Sequence, residues 1–288
     1  MSESLLGVIG GSGLYELPGL ADVERRKVPT PFGDPSDEIV LGRLGNRRLA
    51  FLPRHGRGHR ILPSELPFRA NLWALKSLGA EWVLAVSAVG SLREEIAPGH
   101  VVIPDQFIDR TRGRTEESTF FGRGIVAHVQ FADPFCAPLS KTLAAAARAQ
   151  GATVHEGGVY VCMEGPLFST RAESHLHRSW GAQVIGMTNL QEAKLAREAE
   201  ICFATMALAT DYDCWRTGHD DVAIDEILRV LAANVDLARR TVAGVASTLP
   251  DRSGCGCARA LEHAIITSRD AIPADRKRDL APIVGRYL

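Results

Sequence analysis

The strongest constraint in this chain is a set of short, almost unbroken apolar runs at residues 5–9, 82–89, 159–163, 184–186 and 201–209. Each is too short for an ordinary helix and apolar on both faces. Such runs read as strands inside a sheet that is covered on both sides. Helical patterns lie between them. Leu66, Leu72, Leu75 and Leu78 share one face of a helix that Ser64 would cap. Pro138 opens an alanine-rich helix running to about Gln150. Thr170 with Glu173 is a capping box for another. Further helices are predicted over 191–198 and from Ile224 to about Val245. Residues 39–44 and 49–52 flank Gly45-Asn46 as a hairpin, and residues 101–104 form another strand. Residues 29–37 and 109–125 read as loops. This alternation predicts an α/β fold. The chain has 288 residues with no linker, repeat or low-complexity block, which predicts one domain over residues 1–288, closing in a partly helical tail from about 250.

The charges nearly cancel, with 33 basic and 34 acidic residues. That balance argues against nucleic acid or an anionic membrane as a partner, so any anionic ligand must be held by a local site. The start lacks a cationic leader, and the longest apolar stretches fall far short of a membrane span, which predicts a cytoplasmic protein. The six cysteines (136, 162, 202, 214, 255 and 257) lack paired zinc-ligand spacing and read as buried thiols, with Cys255-Gly256-Cys257 the one unusual pattern.

Five segments carry candidate chemistry. Gly10-Gly11-Ser12-Gly13 follows the first strand, and its backbone N–H groups with the Ser12 hydroxyl suit an anion. It has neither the dinucleotide-binding glycine spacing nor a P-loop lysine. Residues 54–60 hold three Arg and two His just past a strand end, where α/β proteins commonly bind ligands. Arg54 and His55 lead this cluster, and a solvated basic loop is the plain alternative. Ser87 and Ala88 close an apolar strand as small residues that an anion can approach. Phe168 and Ser169 lie between a strand and the helix capped by Thr170, while Met187-Thr188 ends another strand. Asp211 and Asp213 stand two apart at the end of the last apolar run, so they would point to one side. Desolvated together, they would repel and raise one pKa, giving a proton donor near neutrality. A helix cap or half of a metal site is the alternative, but no further ligand stands in recognisable spacing, so no metal is expected.

Together these segments resemble the trimeric purine nucleoside phosphorylase superfamily and, within it, the 5'-methylthioadenosine phosphorylases. The resemblance spans residues 5 to about 245 and is carried by GVIGGSGL, TPFGDPSD, RHGRGH, RANLWALK, GSLREEIAPG, DQFIDRT, MEGPLFSTRAES and ATDYDCW. It implies a three-layer α/β/α phosphorylase-like fold around a central mixed, partly barrel-like sheet. It implies reversible phosphorolysis, in which phosphate displaces a purine from ribose C1' through an oxocarbenium-like transition state, with no cofactor beyond phosphate as co-substrate. Ser12, Arg54, His55, Ser87, Ala88 and Thr188 match the family's phosphate positions. Met187 matches the residue packing on the ribose, with Phe168 a stacking face. Asp211 and Asp213 match the carboxylates facing the purine, where one, protonated, would donate to N7. Which of the two does so stays open.

The resemblance also bears on specificity. Relatives that take 6-oxopurines set a Glu and an Asn against the base, where Ser169 and Asp211 stand here. A carboxylate accepts from the 6-amino group of adenine, and Ser169 cannot replace a Glu acceptor. An unpaired buried polar group costs about 1–3 kcal/mol, which favours 5'-methylthioadenosine over inosine or methylthioinosine. Ile224 stands where relatives that bind a free 5'-hydroxyl carry a His, which suits an apolar methylthio group. His128 lies in a loop that reaches a neighbouring subunit in the family. Shared sites imply a homotrimer or a dimer of trimers. In heat-adapted relatives a Cys-x-Cys near the C-terminus forms disulfides. Cys136 with Cys202 is a candidate pair, while reduced thiols suit a mesophilic cytosol. A 6-oxopurine phosphorylase, a nucleoside-binding sensor without turnover, and a hydrolase are the competing readings.

Overall fold

The computed structural model describes residues 4–11, 14, 17–216 and 224–288, with the side chains of residues 224–229, 231 and 232 outside that description. The chain opens with β1 (Leu5–Gly10), β2 (Ala21–Arg26), β3 (Ile39–Leu44) and β4 (Arg47–Pro53). Helix α1 (Phe68–Ser77) leads into the long β5 (Ala80–Ser91), then β6 (Val101–Ile103) and β7 (Gln106–Arg110). Helix α2 (Ala137–Ala149) precedes β8 (Val154–Glu156) and β9 (Val159–Met163). There follow α3 (Arg171–Ser179), β10 (Val184–Gly186), α4 (Asn189–Glu198) and β11 (Cys202–Asp211). The chain ends with α5 (Ile224–Ser247), α6 (Ala274–Asp279) and α7 (Ala281–Val284).

Among the described residues, eleven strands form one mixed sheet in the order β2-β3-β4-β1-β5-β10-β9-β7, with β11, β6 and β8 branching from β5. The apolar runs occupy its centre. β5 lies parallel to both β1 and β11, and its last residues pair antiparallel with β10. Side chains alternate across β5 and β11. Val83, Ala85 and Phe203 pack on one face with α1, α4 and the tail residues Leu280, Ile283 and Val284. Trp82, Leu84, Ala204 and Met206 pack on the other with α2 and α5. The result is an α/β fold with helices on both faces of a mixed sheet. Each fully buried large apolar side chain contributes about 1.5–3 kcal/mol. Among the described residues, no helix is long and apolar enough to cross a membrane.

Three strands escape a sequence reading. β2 is ADVERR, exposed along its whole length, so it carries no apolar alternation. β7 takes the start of the expected loop at 109–125 into parallel pairing with β9, and β8 has only three residues. Ser64 does not cap α1. It lies in a 3-10 turn, Pro63–Glu65, and the helix begins after Pro67. Pro67 has no N–H and disfavours helical geometry in Leu66, so the chain breaks there. The Thr170–Glu173 box does form, with Thr170 Oγ1 accepting from the Glu173 N–H at 3.2 Å.

The crossing of β9 and β10 is tight. A Cβ added at Gly186 would lie 1.9 Å from the hydroxyl oxygen of Tyr160, which is fully buried. Gly186→Ala is therefore expected to destabilise the protein by roughly 2–3 kcal/mol. Calorimetry checks this, and an unchanged Tm would show that Tyr160 has room to move.

Candidate active site

Five strand ends line one cavity of about 370 Å³: Gly10 of β1, Pro53 and Arg54 after β4, Ser87 to Gly90 of β5, Gly186 to Thr188 after β10, and Asp211 of β11. The β1, β4, β5 and β11 ends are carboxyl ends of parallel neighbours, which is where open α/β sheets present their ligands.

Arg54 anchors the wall. It is 3% exposed. Its Nε lies 2.5 Å from Glu192 Oε1 and its Nη2 3.0 Å from Glu192 Oε2, a two-pronged pair with α4. Nη1 donates to the Val86 carbonyl of β5 at 2.8 Å, and Nη2 reaches the Ile9 carbonyl of β1 at 3.5 Å. Burial opposes the charge on Arg54, and the Glu192 carboxylate outweighs it, raising its pKa. Four of the five guanidinium N–H groups thus have protein acceptors. One on Nη1 remains for a ligand among the described contacts.

His55 follows. Its Nδ1 lies 2.8 Å from the Ile61 carbonyl, and its ring stacks on His59 with centroids 4.3 Å apart. A carbonyl only accepts, so Nδ1 carries the proton. Burial lowers the His55 pKa to about 4, with the Arg54 charge adding to it. At neutral pH the ring is uncharged, and Nε2 offers a lone pair. Ser87 Oγ is held loosely between the Ala88 carbonyl (3.3 Å) and the Tyr160 hydroxyl (3.4 Å). Thr188 is the residue before α4, so the positive end of that helix opens on the cavity beside its hydroxyl.

The acids owe their position to an irregularity. The pairing of β11 with β5 slips between Ala209 and Asp211, placing Asp211 opposite Gly90. A Cβ on Gly90 would come within 3.1 Å of Asp211 Oδ1, so the glycine leaves room for the carboxylate. Asp211 accepts from Thr210 Oγ1 at 2.7 Å and from the Asp213 N–H at 2.8 Å. Strand alternation does not bring Asp213 alongside, because β11 ends at Asp211. Asp213 instead adopts a left-handed conformation (φ 47°) at the head of a 3-10 turn. Its Oδ2 accepts from Ser174 Oγ at 2.5 Å. Burial raises both carboxyl pKa values, and the Asp211 charge raises Asp213 further.

Met187 and Phe168 line the same cavity, and Phe168 is half exposed at its edge. Ser169 is not part of the lining. It sits behind, with its carbonyl accepting from the Cys214 thiol at 3.1 Å. His128 is also elsewhere in the single chain, in a second hollow with Gln130, Arg197 and His263. Ser12 lies outside the described residues, as does the side chain of Ile224.

Sequence reading passed over four residues that build the site: Glu192, Arg114, Ser174 and Tyr160. Arg114 is almost fully buried and joins the ends of β9 and β10, with its Nε on Glu164 Oε1 (3.2 Å) and its Nη1 on the Met187 carbonyl (2.5 Å). The available signal was Asn189-Leu190-Gln191-Glu192 itself, since a helix turn buried on all sides obliges its carboxylate to find a cation. Among the described residues, the group that could hold a metal lies apart from this cavity, at four cysteines.

A family model described as the phosphorylase superfamily matches residues 5–247. A curated relative from Geobacter sulfurreducens, named S-methyl-5'-thioadenosine phosphorylase, is 59% identical over 99% of this chain and 100% of its own. A relative of the same name from Koribacter versatilis is 56% identical over 99% of this chain and 97% of its own. Among solved structures, a methylthioadenosine phosphorylase from an antarctic soil metagenomic library superposes with a TM-score of 0.92, at 46% identity, over 98% of this chain and 99% of that one. A Schistosoma mansoni adenosine/methylthioadenosine phosphorylase mutant, in complex with methylthioadenosine, has a TM-score of 0.83, at 36% identity, over 90% of this chain and 96% of that one.

Removing Glu192 strands a buried cation. Glu192→Ala is expected to cost roughly 3–5 kcal/mol, while Glu192→Gln, which keeps one acceptor, should cost less. Denaturant unfolding of both variants measures the difference, and equal small losses would mean that water relieves Arg54.

Proposed function

The chain belongs to the phosphorylase superfamily, and on that premise we propose that it catalyses reversible phosphorolysis of 5'-methylthioadenosine to adenine and 5-methylthioribose 1-phosphate. The observation that carries this reading is one cavity combining an anion-donor wall with a pair of buried carboxyls. Phosphate needs donors and an exit for its charge. A purine leaving group needs a proton. Both requirements meet across a space that suits a nucleoside.

On the phosphate side, Ser87, Thr188, the Ala88 backbone, the remaining Arg54 N–H and the end of α4 supply donors. His55 adds an acceptor. With Nδ1–H committed to Ile61, Nε2 takes a hydrogen bond from the P–OH of hydrogen phosphate. That orients a deprotonated phosphate oxygen toward C1'. Positioning of this kind removes much of the entropic barrier to attack. The phosphate charge also stabilises the oxocarbenium-like centre.

On the base side, burial raises the pKa of both Asp211 and Asp213, so a carboxyl here holds its proton to higher pH than an exposed aspartate. Protonated, the pair donates to N7 as negative charge builds on adenine. The remaining carboxylate oxygens accept from the 6-amino group, which favours adenine over hypoxanthine. Met187 packs on the ribose, and Phe168 stacks at the base. Phosphate is the co-substrate, and the reaction uses no metal or organic cofactor.

The chain works as a homotrimer or a dimer of trimers, with His128 completing a neighbour's site. Exposed apolar groups support this: Leu167 and Phe168 at the cavity edge, and Val126 and Ile266 on the segments beside His128. Such surface favours burial against another subunit. The setting is cytoplasmic purine and methionine salvage.

Base release from 5'-methylthioadenosine and from inosine, each with and without phosphate, tests the reaction. Phosphate-dependent adenine release alone is the expected result. Faster inosine cleavage would replace the specificity reading with a 6-oxopurine phosphorylase, and adenine release without phosphate would make the protein a hydrolase.

Turnover should also depend on pH. A carboxyl with a raised pKa keeps its proton to higher pH and loses it as pH climbs through that value. Turnover of 5'-methylthioadenosine is therefore expected to fall on the alkaline side, along a limb that Asp211→Asn or Asp213→Asn moves or abolishes. Loss of the proton donor should cost roughly 10²–10⁴ in kcat. The same limb in both variants would assign it to another group.

A further inference from the structure

Four of the six cysteines, from three distant segments and without paired metal-ligand spacing, converge in space. Cys136 precedes α2, Cys202 opens β11, and Cys255 and Cys257 come from the C-terminal tail. All four sulfurs lie within 4.8 Å of one another. Cys255 Sγ is 3.6 Å from Cys136 Sγ and 3.7 Å from Cys202 Sγ. A tetrahedron of thiolates around zinc, with Zn–S near 2.3 Å, has edges of about 3.8 Å. The two Cys255 separations match those edges, and the other pairs lie no more than 4.8 Å apart. Disulfides would instead draw the sulfurs together in pairs at about 2.0 Å, and all four thiols are free here.

The surroundings suit a closed structural site. Cys136, Cys202 and Cys257 are buried, and Cys255 is partly covered. The apolar cluster around them includes Leu139 and Ala246. Cys136 is the N-cap of the thirteen-residue α2, so the positive end of that helix faces a sulfur that a metal would hold as thiolate. Four soft sulfur ligands this close together favour zinc, and a four-thiolate set leaves no open position for a substrate.

We infer that this chain binds one structural zinc ion through the thiolates of Cys136, Cys202, Cys255 and Cys257. Binding releases the thiol protons to solvent and involves no redox step. The ion pins the C-terminal tail to the sheet through the first residue of β11. The tail in turn packs α7 under α1, with Ile283 and Val284 in the core. Asp211 sits at the opposite end of that ten-residue strand, roughly 30 Å away. The metal therefore acts on stability and not on the chemistry of the cavity.

The test uses the full chain purified under reducing conditions without chelator. Elemental analysis should find about one zinc per chain. The paired substitution Cys202→Ser with Cys257→Ser should abolish the zinc and lower Tm by several degrees, while leaving turnover unchanged at temperatures where the variant is folded. Chain grown on cobalt should show the intense visible absorption of a tetrahedral cobalt thiolate site, which keeps the inference testable if the variant does not fold. Absence of zinc and of a cobalt spectrum would overturn it. So would zinc retained by the paired variant, or an intact mass lower by the four hydrogens of two disulfides.

Discussion

The site depends on the buried pair of Arg54 and Glu192. Arg54 follows β4, bonds carbonyls of β1 and β5, and grips a carboxylate on α4. One side chain therefore fixes three strand ends and the start of the helix that lies behind Thr188. An ion pair this deep is weak evidence for net stability, because desolvating both charges costs about what their attraction returns. What it provides is position. Once the strands are held at these spacings, Ser87, Thr188 and the α4 terminus face one space, and the sheet supplies a rigid frame for a reaction that needs little more than orientation and charge.

Opposite that wall the design is reversed. Arg54 is matched with a counter-charge, but among the described residues Asp211 and Asp213 are given hydroxyl and amide donors and no cation. Burial then favours the protonated form over the charged one, so the pair keeps a proton at higher pH than exposed aspartates do. Arg114 completes the arrangement by joining Glu164 to the carbonyl of Met187, and so fixes the backbone where β9 and β10 end at the cavity. With a nearly saturated arginine and an uncharged histidine, this wall offers several neutral donors and a helix end rather than a concentrated positive charge, a moderate grip of the kind the proposed co-substrate would need in order to react and leave.

Much of this was legible in the sequence. Apolar runs located the central strands, the Thr170–Glu173 box located α3, and the Arg54-His55, Ser87-Ala88, Met187-Thr188 and Asp211–Asp213 segments all reach the cavity. Each was readable because its signal is local: a periodicity, a capping spacing, or chemistry placed just after a strand. β2 was missed because an edge strand exposed on both faces has no apolar pattern to read. Ser64 was misplaced because Pro67 overrides a capping residue three positions earlier. The geometry of Asp213 was misread because a slip in pairing and a left-handed residue, rather than strand alternation, turn it toward Asp211.

The sequence by itself determined the class of fold, the order of its buried strands and the residue types available at their ends. Those follow from side-chain polarity and backbone preference within a few positions. The tertiary structure alone decided who partners whom. Arg54 meets Glu192 across 138 residues, and Cys136 meets Cys255 across 119. Such meetings depend on strand order and crossovers, and the free energy that selects them comes from burying the whole sheet at once. No local pattern encodes them, so a carboxylate in a predicted helix became the keystone of the site, and thiols without metal spacing came together within 4.8 Å of one another.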